Sequence, residues 1–277
     1  MNSKTITNSN LNGTNGNLAS RGVIIKILYV FFYILISTYC YAEASRIEHF
    51  RFYSKALGEF RELTIYIPKD FKSENIYNVI FCTDGQIINE QYKIKLDSIL
   101  SIKNIIPFLM VGVNSNEKSI PDSYFEYRNF EYIENMPSNN SDLSSRFERH
   151  VIFFVYEVDE YLKQEMQLKI GNKYFYGVSN GAGFGVSISK YYPNLFSKYI
   201  LYSMASGNYK KLKWNAEKYP FFIIRYGNDE PKPFKKDNKK FSKYLSKNHY
   251  QHIFECYNGG HKREDWLNQF IKDIEKL

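Results

Sequence analysis

The chain has 277 residues, 44% of them hydrophobic and 24% charged, with a formal net charge of +8. That is enough apolar material for one sizeable core, and α/β enzymes of this length are routinely single domains. Three cysteines (Cys40, Cys82 and Cys256), with no C-x-x-C pair and no Cys/His cluster, argue against a structural zinc site and against a disulfide framework. The positive charge could serve an anionic partner, but no nucleic-acid motif accompanies Lys235, Lys236, Lys239, Lys240, Lys243 and Lys247. Those lysines fall at helical spacing and read first as a solvated helix face, so no nucleic-acid partner is expected.

Residues 1–20 are rich in Asn, Ser, Thr and Gly, lack apolar periodicity and are expected to be disordered. Residues 21–44 read as a signal peptide or an N-terminal anchor. Arg21 and Lys26 give a basic start, Ile27 to Ile36 is uncharged, and Ala42-Glu43-Ala44 is an A-x-A step. The anchor reading uses Val23 to Tyr41, long enough to span a bilayer if Lys26 snorkels. A third reading, lipidation at Cys40, is weakened by the bulky Tyr39. All three export the domain, to the periplasm or the medium, and a membrane is expected as a partner only through an N-terminal attachment of this kind.

Residues 45–277 read as one α/β domain. Leu63 to Ile67 alternates as a short strand, and Asn78 to Cys82 is a second strand running into Thr83-Asp84-Gly85. Ile105 to Val113 is a near-continuous apolar run, as in a buried parallel strand. From Asn114 to Arg146 the pattern fails, around Pro121, Pro137 and the polar run Ser138 to Ser141. A stretch of that length is seldom an idle connection, and it is expected over the strand ends, where such sheets bind ligands. Helical spacing returns over Phe147 to Leu162. Strands then follow at Lys173 to Tyr176, Tyr199 to Tyr202, Phe221 to Tyr226 and Ile253 to Tyr257. Helices are expected over Ala182 to Tyr192, Phe234 to Leu245 and Glu264 to Ile274. The alternation predicts a mostly parallel central sheet with helices on both faces.

Gly177-Val178-Ser179-Asn180-Gly181 is a G-x-S-x-G motif between a predicted strand and a predicted helix, the setting in which a nucleophilic serine is displayed on a sharp turn. Together these predict the α/β-hydrolase fold, with Ser179 as nucleophile. The N–H of Asn180, at the helix start, is placed to bind an oxyanion. A serine hydroxyl needs a base, and on this fold the order along the chain is serine, acid, histidine. His49 and His150 precede Ser179 and drop out. His249 and His252 enter a strand. His261 follows Asn258-Gly259-Gly260 beyond that strand and is the expected base. Asp229 and Glu230 both follow the strand Phe221 to Tyr226, and position alone leaves the acid open between them.

Several of these segments resemble an esterase family that includes enterochelin esterases and esterase D. The resemblance spans roughly residues 50–277. It rests on Gly177 to Gly183 followed by Tyr192-Pro193-Asn194-Leu195-Phe196, and on Asn78 to Phe81 running into Asp84-Gly85-Gln86. Val111-Gly112-Val113-Asn114, Arg128-x-x-Glu131-Tyr132 and Gly259-Gly260-His261 with Trp266 complete it. Thr83 departs from the family in being more polar. The resemblance implies Ser179 and His261 as nucleophile and base, Glu230 rather than Asp229 as the acid, and a second oxyanion N–H from Gln86. Arg128 would either contact substrate or hold the intervening segment by an ion pair. The implied activity is hydrolysis of a carboxylic ester through an acyl-enzyme, on a small-molecule or glycan-linked ester, with neither metal nor organic cofactor. Acyl transfer on the same fold and a non-catalytic hydrolase-like binding protein are the alternatives. Glu126, Lys262 and Arg263 match no substrate class, so the resemblance implies no specificity.

Overall fold

The computed structural model describes residues 43–103, 105–209, 214 and 219–277. The expected disordered, signal or anchor segments up to residue 42 lie outside the described residues, as does Cys40. Glu43 to Leu277 forms one compact unit.

An eight-stranded sheet runs in the order β1-β2-β4-β3-β5-β6-β7-β8. β1 (Arg46–Ser54) and β2 (Glu59–Ile67) form an antiparallel hairpin, and β2 pairs antiparallel with β4 (Phe108–Val113). From β4 onward every pairing is parallel: with β3 (Ile76–Thr83), then β5 (Lys169–Val178), β6 (Lys198–Tyr202), β7 (Phe221–Gly227) and β8 (His252–Tyr257). The sequence reading has no strand at β1. Arg46, Glu48 and Arg51 interrupt its apolar residues, as suits an edge strand that must not pair with another chain.

The buried strands obey the two-residue period of β-structure. Val79, Phe81, Phe175, Phe222 and Ile224 point to one face, and Ile80, Cys82, Tyr174, Tyr176 and Ile223 to the other. The second face is covered by α1 (Glu90–Ile102) through Tyr92 and Leu96. The segment between β4 and β5 holds α2 (Tyr127–Tyr132), α3 (Ser141–Ser144), α4 (Arg146–Ile152) and α5 (Val158–Gln164). α4 and α5 are one continuous rod joined by a wide i→i+5 turn, Phe153–Glu157, so the single helix expected over Phe147 to Leu162 carries a bulge. That rod packs on the first face with α6 (Asn180–Tyr191) and α7 (Lys232–Lys247), while α8 (Arg263–Ile274) joins α1 on the second.

This order fixes where a site can form. The connection leaving β3 enters α1 on one face, and the connection leaving the adjacent β5 enters α6 on the other. The two loops separate at the carboxyl ends of neighbouring strands and open a crevice there. Thr83 to Gln86 stands on one side of it and Ser179 to Gly181 on the other.

Candidate active site

Ser179 sits where β5 turns into α6, with φ 54° and ψ −125°. A non-glycine residue held there is strained, and the strain persists only if the surroundings over-determine it. They do. The Ser179 N–H donates to Tyr202 O at 2.9 Å, and Ser179 O accepts from the N–H groups of Ala205 at 3.1 Å and Gly183 at 3.2 Å. Gly181 is required by close approach: a Cβ there would lie 2.1 Å from Thr83 Oγ1. The elbow is thereby pressed against the end of β3, with its serine half-buried at the rim of the crevice.

His261 Nε2 lies 3.2 Å from Ser179 Oγ. The imidazole is wedged between the rings of Phe234, at 4.3 Å, and Trp266, at 4.8 Å. Its other nitrogen, Nδ1, faces Glu230 Oε2 at 3.8 Å. Both atoms are buried and neither has another partner, so the approach is loose but unshared. Catalytic contacts of this kind often tighten only when substrate binds.

Glu230 is 3% exposed. Its Oε1 accepts from the Gly227 N–H at 2.9 Å, from the Ser203 hydroxyl and from Tyr257 Oη at 3.3 Å. Burial by itself would raise this carboxyl, but His261, Ser203 and the Gly227 N–H together outweigh it and hold Glu230 below the usual carboxylate range. Asp229 is exposed, and its N–H is tied to Gly259 O at 2.9 Å. Geometry thus sets Glu230, and not Asp229, against the imidazole.

Sequence reasoning missed Ser203. It is fully buried with φ 53°, accepts from Trp266 Nε1 at 2.8 Å and donates its own hydroxyl to Glu230 Oε1. The one available signal was Trp266, whose place in the motif now has a cause: its indole orients the hydroxyl that orients the acid. Tyr257 was read only as the end of a strand.

Across the crevice, Asp84 has φ 55° and ψ 49° and opens a single tight turn, Gly85–Ile87. Its N–H donates to Tyr132 Oη at 3.0 Å, and its carboxylate takes both arms of Arg128, at 2.5 and 2.8 Å. Arg128 also stacks over the Tyr132 ring at 4.7 Å. Of its two expected roles, the ion pair is therefore the one with a partner. A Cβ on Gly85 would meet Gly112 C at 2.3 Å, so the turn packs directly on β4. The Gln86 side chain is held outward, accepting from the Ser115 N–H at 3.1 Å and donating to Glu117 at 2.6 Å.

Glu131, the remaining member of the Arg128 element, is buried beneath this turn. Arg61 reaches it at 2.5 Å and Arg146 at 2.7 Å. Burial opposes its charge, and neighbouring His150, Arg61 and Arg146 reverse that, holding the carboxyl at about 2. His150 is fully buried, 3.7 Å from Glu131, and burial pushes it down to about 3. It is a neutral core residue among Tyr132, Phe153, Phe154 and Phe184, whereas the ring that meets Ser179 Oγ is that of His261.

A cavity of about 610 Å³ lies on the outer side of the segment that holds Gln86. It is bounded by Arg51, Tyr53, Arg61, Ser115 and Glu117 among others, and not by Ser179 or His261.

No protein-family model matches the chain, and no curated protein matches it. Solved structures do. A ferulic acid esterase from Anaeromyces mucronatus superposes with a TM-score of 0.64 at 16% identity, over 85% of this chain and 91% of that one. An S-formylglutathione hydrolase from Staphylococcus aureus gives 0.58 at 14%, over 84% and 99%. An IroE-like serine hydrolase from Shewanella oneidensis gives 0.62 at 17%, over 83% and 79%. At these identities the likeness establishes architecture, and the architecture agrees with the sheet order and the turn at Ser179: the chain has the α/β-hydrolase fold.

Proposed function

We propose that this chain is an exported serine esterase that hydrolyses a carboxylic ester through an acyl-enzyme. The observation that carries the reading is the line Ser179 Oγ, His261 Nε2, His261 Nδ1, Glu230 Oε2, with steps of 3.2 Å and 3.8 Å across the imidazole. In the first half-reaction Ser179 Oγ attacks the ester carbonyl carbon, and its proton passes to His261 Nε2. The tetrahedral oxyanion is held by the N–H groups of Asn180, at the start of α6, and of Gln86, in the turn after β3. His261 returns the proton to the departing alkoxide as the C–O bond breaks, leaving the acyl group on Ser179. Water repeats the sequence and frees the acid. Glu230, kept ionised by its hydrogen bonds, holds the imidazole tautomer and balances the imidazolium.

Structural neighbours that are esterases or serine hydrolases support the hydrolase reading. Export rests on the sequence of residues 21–44. Among the described residues no helix is long and apolar enough to cross a membrane.

A fluorophosphonate probe tests the core of the proposal. Wild-type protein should label and Ser179→Ala should not, with p-nitrophenyl acetate turnover lost in parallel. A folded wild type that neither labels nor turns over ester would leave only a binding protein on a hydrolase scaffold.

A further inference from the structure

The net charge of the chain is concentrated in one element. α7 carries seven lysines against one acid, Asp237, a net of +6 in a chain whose total is +8. At 100° per residue Lys232, Lys236, Lys239, Lys243 and Lys247 fall in one row, with Lys240 beside it, and all six are exposed. The opposite face, with Asn238, Phe241, Ser242 and Leu245, is buried against the sheet. At 1.5 Å per residue the row is about 22 Å long, in steps of about 4.5 to 6 Å.

None of these lysines has a carboxylate within ion-pair distance among the described residues. Lys93, Lys163, Lys173 and Lys190 elsewhere on the surface each sit against one, at 2.7 to 3.0 Å for three of them. Like charges at i,i+4 repel along a helix, so the row works against its own helix, and Lys239 over the Tyr226 ring at 5.7 Å offsets little of that. Its near end lies at the site. α7 starts two residues after Glu230, and Phe234 in its first turn packs against the His261 ring at 4.3 Å.

We propose that the lysine row of α7 binds a linear polyanion, and that the ester cleaved at Ser179 is carried on that polymer. This deepens the esterase reading and rests on it. A row one helix wide, with steps close to the length of one sugar unit, matches an acidic polysaccharide with regularly spaced carboxylates. A flat anionic bilayer would call for a broader patch. In this proposal the lysine face that the sequence reads first as solvated is the binding face.

The test uses the full chain and three substrates: O-acetylated polygalacturonate, O-acetylated dextran as a neutral polymer, and p-nitrophenyl acetate. Wild type should favour the polygalacturonate at low ionic strength, and the preference should fade as salt is added. The triple variant Lys236→Glu, Lys240→Glu, Lys243→Glu should lose about tenfold or more in kcat/KM on the polygalacturonate, chiefly through KM. The two neutral substrates, which check folding and the catalytic centre, should stay within about twofold. Equal losses on both polymers, or no loss on either, overturn the proposal. So does tight binding to phosphatidylglycerol vesicles with no preference between polymers. If wild type cleaves none of the three, the esterase reading fails by itself. The row is then judged by retention on immobilised polygalacturonate, which the triple variant must lose if the row is a polyanion site and must keep if it is not.

Discussion

Two adjacent carboxylates, Asp229 and Glu230, follow the same strand, and one residue of chain separates opposite fates. The turn after β7 directs Asp229 to solvent, where water satisfies it, and swings Glu230 inward beneath His261. Ser203 and the Gly227 N–H then keep the inner carboxylate charged in a buried place. Glu230→Gln should therefore lower kcat on p-nitrophenyl acetate by about 10³-fold or more, since an amide can neither fix the tautomer nor balance an imidazolium. Asp229→Asn should change kcat less than about twofold, as befits an exposed side chain away from the imidazole. The reverse ranking, read from steady-state kinetics of the two variants, would reassign the acid. Apart from the family resemblance, nothing local in the sequence separates the two. Ser203, which decides the matter by its hydrogen bond, is brought to Glu230 only when β6 and β7 pair.

Each side of the crevice is a single turn, and each is held by a different kind of contact. The elbow at Ser179 is fixed by backbone hydrogen bonds to β6 and its following loop, and by the contact of Gly181 with Thr83. The turn at Asp84 is fixed from outside, by Arg128 and Tyr132 of α2. The first arrangement is written in a five-residue motif because its parts are contiguous. The second joins residues 44 positions apart and is visible in sequence only as two separate fragments. Arg128→Gln should free the Asp84 turn and with it the Gln86 N–H. The expected result on a neutral p-nitrophenyl ester is a fall of about tenfold in kcat with KM within about threefold, partly restored by Arg128→Lys. A KM effect confined to acidic substrates would identify Arg128 as a substrate contact instead.

Over the whole molecule, the alternation of apolar runs and helical spacing from Leu63 to Ile274 was enough to predict the parallel sheet, because burial on both faces demands continuous apolar strands. The edge strand β1 escaped because an edge is free to carry charge. The helices of the segment 114–146 escaped because they are short and held by charge rather than by apolar periodicity. Beneath them, Glu131 binds Arg61 and Arg146 beside a neutral His150 caged by Tyr132, Phe153, Phe154 and Phe184. This core should be acid-sensitive. Unfolded His150 takes up a proton near its ordinary 6.5, whereas the folded residue, pushed down by burial, does so only at about 3. Between those values the unfolded chain holds more protons, so stability falls as pH falls. Glu131 adds to the loss below its ordinary 4.5, as pH drops toward about 2. His150→Phe should flatten the decline of Tm between about pH 6.5 and 4.5 while leaving the steeper loss below it, as measured by thermal melts across that range. By itself the sequence determined the fold class and named Ser179 and His261 as candidates for nucleophile and base, since these follow from strand–turn–helix periodicity and from the order of residues along the chain. Only the tertiary structure set Glu230 against the imidazole with Asp229 outside, gave Arg128 its partner and brought the start of the α7 lysine row to the edge of the site. Each of those depends on which side of a turn or helix a residue faces and on what distant segment meets it there.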